Sequence, residues 1–176
     1  GSLLSTITDP AGRSVSFGYN MDLLTSSSDV TGKTMLFGYD AQGRLNAVTD
    51  ANNHTFVHNV YDGFNRVVEQ RDALANLTTF TYYTATYQTV AVDPRGVPIT
   101  YTYDAAYRAT GEMDALGNHT LYEYDTNNNR VAVTDKRGNR TRTLYDERGN
   151  VVQVTDALGN NSLFTYDARN NLLSTT

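Results

Sequence analysis

Short apolar runs alternate along this chain with segments rich in Asp, Gly and Asn. In the last complete example, Phe164 and Tyr166 flank the polar Thr165, which is the period-2 pattern of a half-buried strand. The next segment, at 167–170, is built from residues that favour turns, and another apolar run begins at Leu172. The pattern therefore predicts a strand, a turn, a second strand and a second turn.

This unit recurs eight times with a period close to 21 residues. An Asp opens each unit, and a Tyr follows ten or eleven residues later without exception. The opening aspartates are Asp9, Asp29, Asp50, Asp72, Asp93, Asp114, Asp135 and Asp156; the tyrosines are Tyr19, Tyr39, Tyr61, Tyr82, Tyr103, Tyr124, Tyr145 and Tyr166. Such regular repeats are typical of arrays in which each unit packs on its neighbours.

A glycine usually stands three residues after the opening Asp. The glycines in this position are Gly12, Gly32, Gly96, Gly117, Gly138 and Gly159. They are expected to be structural turn residues, because Gly accepts a positive φ at no steric cost. Asn53 also tolerates that conformation, whereas Ala75 tolerates it poorly. Asn20 and Tyr83 replace the Asp after the repeat Tyr, and Tyr87 crowds the second turn of its unit.

These patterns predict an all-β fold of tandem hairpins of about 21 residues, forming one coiled, curved antiparallel sheet. Short turns make successive strands antiparallel neighbours, and sheet twist has a fixed hand. Eight units give about sixteen strands, with the eight tyrosines as a structural ladder. Residues 1–2 are interpreted as a cloning scar and residues 3–176 as the array. We expect the array to be excised from a longer protein, because Leu3–Thr8 resembles the tail of a preceding unit.

Composition argues against several classes of function. The net charge is −5 and no cluster of Lys or Arg occurs, which argues against nucleic acid. No apolar run approaches the roughly 18 residues of a membrane span, so membrane insertion by this segment is not expected. Cysteine is absent, which leaves neither disulfides nor thiolate metal sites.

Carboxylates are the only plentiful catalytic side chains, and most are copies of one repeat position. General acid–base catalysis needs two carboxylates in different surroundings, whereas a repeat gives each copy similar ones. His54 and His58 are four residues apart on a predicted strand, with Asp62 as their nearest carboxylate in sequence, which is a poor zinc pattern. Calcium binding by the Asp-rich and Asn-rich turns is a weaker alternative. The sequence therefore predicts no catalytic residue, cofactor or metal site.

The motif Tyr-Asp-x-x-Gly-Arg/Asn, at 39–44 and 145–150, together with Thr-Asp-Ala-Leu-Gly-Asn at 155–160, resembles the Rhs/YD-repeat family. That family includes shells of bacterial polymorphic toxins, the cocoon of Tc toxin complexes, and teneurins. The resemblance implies a sheet that spirals into a hollow shell around a C-terminal toxin domain. The family's distinctive C-terminal motif and self-cleaving protease site are missing here. Asp9-Pro10 and Asp93-Pro94 are interpreted as ordinary opening turns.

The functional prediction is a non-enzymatic structural segment of a Rhs/YD-repeat shell. The resemblance implies a C-terminal toxin or polypeptide cargo as partner, and secretion or delivery by a bacterial secretion system. An alternative is a module at the extracellular surface that serves adhesion or binds glycan or protein. A weaker alternative is a glycan-active enzyme on a β-scaffold. Self-association through exposed sheet edges is a further expectation.

Overall fold

The computed structural model describes residues 3–176, so the predicted cloning scar at residues 1–2 lies outside the described residues. Apart from one short 3₁₀ helix, the regular elements of this part of the chain are β-strands. They divide into two compact units, Gly1–Thr81 with Val92–Gly96, and Tyr82–Ala91 with Val97–Thr176. The predicted all-β fold of tandem antiparallel hairpins is confirmed.

The first unit contains the strands up to β8, whose last two residues belong to the second unit. The strands are β1 Thr6–Thr8, β2 Ser14–Asn20, β3 Leu23–Ser28, β4 Thr34–Tyr39, β5 Leu45–Thr49, β6 Thr55–Tyr61, β7 Val67–Arg71 and β8 Leu77–Tyr83. From β1 to β8 each strand pairs antiparallel with the next. The short loops leave no other arrangement open to consecutive strands.

The second unit repeats the same meander after the 3₁₀ helix Thr84–Thr86. Its strands are β9 Gln88–Val92, of which Val92 belongs to the first unit, β10 Pro98–Tyr103, β11 Ala109–Met113, β12 His119–Tyr124, β13 Arg130–Thr134, β14 Arg140–Tyr145, β15 Val151–Thr155, β16 Asn161–Tyr166 and β17 Leu172–Thr175. From β10 to β17 each strand pairs antiparallel with the next.

The described residues contain seventeen strands where the sequence predicts about sixteen. The additional strand is β1, in the segment that the sequence identifies as the tail of a preceding unit. Ile7 stands opposite Val15, so this tail is used as the partner of β2. The structure therefore has one strand more than predicted, and the remaining strands form the predicted hairpins.

Very little of the described chain is fully buried. Among apolar side chains, only Val48 and Ala132 fall in that class, at 7% and 3% exposure. Exposure alternates along the first strand of several hairpins; in β12, Tyr122 and Tyr124 are half-buried, while Leu121 and Glu123 are exposed. Second strands such as β15 are half-buried throughout. Strand pairing, turns and contacts between repeats must therefore supply much of what a core supplies in a globular domain.

Candidate functional site

In most repeats the opening turn and the second turn have the same geometry. In the opening turn, the backbone N–H of Asp156 donates to the carbonyl of Asn160 at 2.9 Å, and the N–H of Gly159 donates back to Asp156 at 3.1 Å. In the second turn, Asp167 makes the same two bonds with Asn171 and Asn170. The residue in the Gly159 position has a positive φ, as the tight reversal requires.

All eight opening turns have a residue with positive φ at the position that the sequence indicates. Gly12, Gly32, Gly96, Gly117, Gly138 and Gly159 all have φ between +81 and +88. Asn53 has φ +64, and Ala75 has φ +63 although its Cβ makes that conformation costly. The surrounding hairpin therefore imposes the turn on Ala75 despite its poor local preference.

The side-chain carboxylate of the Asp stabilises each turn by accepting hydrogen bonds. One oxygen of Asp156 accepts the backbone N–H groups of Leu158 and Asn160, and the other accepts the side-chain amide of Asn160 at 2.8 Å. In Asp104 the second oxygen instead accepts Nε of Arg108 at 2.7 Å. The Asp of the Tyr-Asp motif thus stabilises its turn, and the side chain that donates to its second oxygen is the Arg or Asn four residues later.

These bonds favour the ionised carboxylates. The side-chain amide of Asn160 and then its backbone N–H hold the pKa of Asp156 below its ordinary value. For Asp104, the backbone N–H and then the guanidinium of Arg108 lower the pKa in the same way. Both turns of the repeat therefore carry a charged carboxylate at neutral pH, used to accept hydrogen bonds.

Where the repeat lacks this Asp, the turn changes. Asn20 pairs directly with Leu23 across a two-residue turn in which Met21 has φ +53. After Tyr83 the chain forms the 3₁₀ helix Thr84–Thr86 and leaves it through Tyr87, whose φ is +52. Both irregular units are those in which the sequence lacks the Asp after the repeat Tyr.

Each repeat tyrosine is the last or the next-to-last residue of the first strand of its hairpin, and several reach back to the preceding repeat. A Tyr hydroxyl donates to the backbone carbonyl of a residue 15 or 16 positions earlier, at 2.6–3.1 Å. These pairs are Tyr19 with Leu4, Tyr39 with Leu24, Tyr61 with Leu45 and Tyr145 with Arg130. We call this contact the cross-repeat bond.

A β-bulge explains the position of the acceptor. Tyr39 stands opposite Leu45 and Gly38 stands opposite Ala47, so Asn46 is the extra residue of a bulge. A bulge interrupts the ladder of backbone hydrogen bonds beside it. The carbonyl of Leu45, next to the interruption, accepts the hydroxyl of Tyr61 instead. The sequence gives no signal for the bulge, and the cross-repeat bond was missed for that reason.

Arginines four residues after the motif Asp reach forward to the next repeat. Arg44 binds Asp40 through Nε and donates from Nη1 to the carbonyl of Asp62 and to Asn65 Oδ1, each at 3.0 Å. Its guanidinium lies 4.7 Å from the ring centre of Tyr61. Arg44 therefore joins its own turn to the turn and the tyrosine that follow.

Arg108 repeats this arrangement in the second unit. Its Nη1 donates to the carbonyl of Asp125 at 3.1 Å and to Asn128 Oδ1 at 2.9 Å. The guanidinium lies 4.9 Å from the ring centre of Tyr124. The Arg four residues after the motif Asp thus joins neighbouring repeats both at Arg44 and at Arg108, where Tyr107 replaces the Gly of the motif.

The described residues contain no group of three or more His, Cys, Asp or Glu side chains that could hold a metal ion. His54 Nδ1 lies 3.5 Å from Asp50 within one opening turn, and His58 is exposed on β6. Two hollows open between successive turns. One of about 410 Å³ includes Thr31 and Asp50, and one of about 600 Å³ includes Arg108 and Tyr124. In the described part of the chain, no helix is long and apolar enough to span a membrane.

The geometry is that of a tandem-repeat β protein in which the motif side chains connect each repeat to the next. The family model described as RHS Repeat matches residues 22–55, 108–140 and 145–176, which together exceed half of the chain. The chain belongs to the RHS repeat family. No curated protein matches it at a significant level.

Solved structures of Tc toxins have a similar fold. The Photorhabdus luminescens Tc holotoxin pore is 13% identical with a TM-score of 0.65, over 92% of this chain and 10% of that one. The TcdB2-TccC3-Cdc42 structure is 14% identical, and TcdB2-TccC3 without its hypervariable C-terminal region is 13% identical, each with a TM-score of 0.65 over 91% of this chain. This chain spans about a tenth of the length of each of these structures.

Proposed function

We propose that this chain is a wall segment of a Rhs/YD-repeat shell, without enzymatic activity, and that the complete shell encloses a polypeptide cargo. The cargo would be a C-terminal toxin or similar domain of a longer protein. That protein would be secreted or delivered by a bacterial secretion system. Containment would be steric, because a continuous sheet keeps proteases and solvent away from an enclosed chain.

The observation that carries this proposal is the use of the motif side chains. The Tyr hydroxyl, the Asp carboxylate and the Arg guanidinium all make contacts within a repeat or to the next one, as Tyr61, Asp40 and Arg44 illustrate. Because these motif side chains hold each repeat together and connect it to its neighbours, the repeats are suited to form a long continuous sheet. The similar fold in Tc toxins supports the same interpretation.

The electrostatics support a role without catalysis. A general acid at neutral pH needs a carboxyl group whose pKa is raised. In Asp104, Asp135 and Asp156 the hydrogen bonds of the turn lower the pKa instead. These carboxylates are therefore suited to accept hydrogen bonds and poorly suited to deliver protons.

Protease protection of the cargo tests the proposal. The longer protein that carries this array should yield an intact cargo fragment after proteolysis under native conditions. The same cargo should be degraded when it is expressed alone or when the shell is first unfolded. Rapid degradation of the cargo inside the native protein would refute containment and favour the adhesion alternative.

A further inference from the structure

The fourth repeat and the second turn of the fifth depart from the pattern in a way that exposes a group of tyrosines. Tyr83, Tyr87 and Tyr107 are 50%, 39% and 74% exposed, although none occupies the repeat Tyr position. The rings of Tyr87 and Tyr107 meet edge to face, with centroids 5.9 Å apart and planes at 67°. We call this pair the tyrosine corner. All three tyrosines belong to the second compact unit.

Both residues of the corner have a backbone conformation that bulky side chains seldom adopt. Tyr87 has φ +52 and Tyr107 has φ +60. Equivalent positions in other second turns carry residues that adopt this region easily, namely Gly43, Asn65, Asn128, Gly149 and Asn170. Strained bulky residues of this kind cluster at binding and switch sites. The ring of Tyr107 therefore occupies a place where Asn would cost the turn less.

The turn that carries Tyr107 also borders the hollow of about 600 Å³. Ala106 and Arg108 line it from one repeat, and Tyr124, Asp125, Thr126 and Asn128 line it from the next. The tyrosine corner and this hollow thus adjoin the same turn. A ligand that runs along the row of turns would meet the corner first and the hollow one repeat later.

The hollow offers two hydrogen-bond donors from side chains that join the repeats. Among the described residues, Arg108 Nη2 and Asn128 Nδ2 make no hydrogen bond. The carboxylate of Asp125 already accepts two backbone N–H groups and the amide of Asn129, and Asn128 Oδ1 accepts Arg108. A ligand that presents carbonyl acceptors to these donors and packs apolar rings on the exposed tyrosines would use both features.

A polyproline II segment meets both requirements. Its proline residues have no N–H, its carbonyls point outward without internal bonds, and proline rings pack on exposed aromatic side chains. The spacing also agrees. One turn of polyproline II is about 9.3 Å long, and two strand spacings, which separate successive second turns, are about 9.6 Å.

From these observations we propose that the tyrosine corner and the adjoining hollow bind a proline-rich segment in the polyproline II conformation. One face of the segment would pack on Tyr107 and Tyr87, and carbonyls one turn further on would accept from Arg108 and Asn128. This proposal goes beyond the shell function and does not depend on it.

Titration of the folded chain with fluorescein-labelled decaproline tests the proposal by fluorescence anisotropy. The wild-type chain should bind saturably, and a Gly-Ser peptide of equal length should not bind. Tyr107→Asn should weaken binding at least tenfold. It should keep or raise the thermal midpoint, because Asn suits the positive φ found at the equivalent Asn65 and Asn128. Asn128→Gly keeps the positive φ but removes the Nδ2 donor and the Oδ1 that holds Arg108, so a several-fold loss is expected.

Phe64→Ala is the matched control, since Phe64 is 80% exposed on another second turn and has no tyrosine partner in the described structure. It should leave the affinity unchanged. Absence of saturable decaproline binding overturns the proposal, and so does equal affinity in the Tyr107→Asn variant. Binding of maltohexaose at the corner without binding of decaproline also overturns it and assigns the site to sugars.

Discussion

The cross-repeat bond of Tyr61 predicts a graded loss of stability when this side chain is shortened. Its hydroxyl lies 2.6 Å from the carbonyl of Leu45, and Arg44 lies 4.7 Å from the centre of its ring. Tyr61→Phe removes this hydrogen bond and leaves the carbonyl of Leu45 with only the longer bond, 3.2 Å, from Asn59 Nδ2. We expect a loss of about 1 kcal/mol in the free energy of unfolding.

Tyr61→Ala removes the ring as well. Truncating a fully buried aromatic residue costs about 3–5 kcal/mol, and Tyr61 is only half-buried, so packing should contribute about half of that. With the hydrogen bond and a cation–π contact of about 0.5–1 kcal/mol, the total expected loss is about 3–4 kcal/mol.

Urea unfolding followed by far-UV circular dichroism measures both losses. Tyr166→Phe is the matched control, because the Tyr166 hydroxyl makes no hydrogen bond among the described residues. That variant should unfold with the same free energy as the wild type. If Tyr61→Phe and Tyr166→Phe lose the same amount, the cross-repeat bond does not stabilise the array and our reasoning is wrong.

Three further predictions concern the turns and the sheet edge. Ala75→Gly relieves the positive φ of +63 and should stabilise the chain by about 0.5–1 kcal/mol in the same urea assay, whereas Gly117→Ala should destabilise it. Because folded-state pKa values such as that of Asp156 lie below their unfolded values, their contribution to stability is present above about pH 4 and is lost as the pH falls through the folded pKa; acid titration by circular dichroism should therefore show unfolding below pH 4, and unchanged stability there would contradict this. Leu173 is 67% exposed on β17, so Leu173→Lys should reduce any concentration-dependent association seen by light scattering, and a chain that is monomeric at every concentration would refute edge pairing.

The repeat and its strands could be predicted because they depend on local signals. Alternation of side chains predicts strands such as Asn161–Tyr166, and Asp followed by Gly or Asn predicts the turns. The sequence also marks Tyr83 and Tyr87 as irregular, and the structure places a 3₁₀ helix there. The family followed from the same repeated residues, because eight copies of one motif are highly specific.

The contacts between repeats could not be predicted because they depend on geometry that one repeat does not contain. The acceptor for Tyr61 exists because a bulge at Asn46 interrupts the ladder, and bulges have no clear sequence signature. The position of Arg44 over the ring of Tyr61 depends on how far apart two turns lie in space. Ala75 shows the opposite case, in which the hairpin overrides a poor local preference.

The predicted ladder role of the eight tyrosines and the extent of the array stay predictions. The structure places Tyr19, Tyr39, Tyr61 and Tyr145 in cross-repeat bonds, and places arginines on the rings of Tyr61 and Tyr124. The free energies of unfolding of the Tyr61 variants decide whether these contacts stabilise the array.

Site-specific photo-crosslinking tests the proposed wall most directly. Leu121 and Tyr122 are neighbours on β12 and point to opposite faces of the strand, with Leu121 47% exposed. A photoreactive phenylalanine analogue is placed at one or the other position in the longer protein that carries this array and its cargo. A wall that separates cargo from solvent predicts crosslinks to the cargo from one of the two positions and none from the other. Crosslinks from both positions, or from neither, would contradict the account.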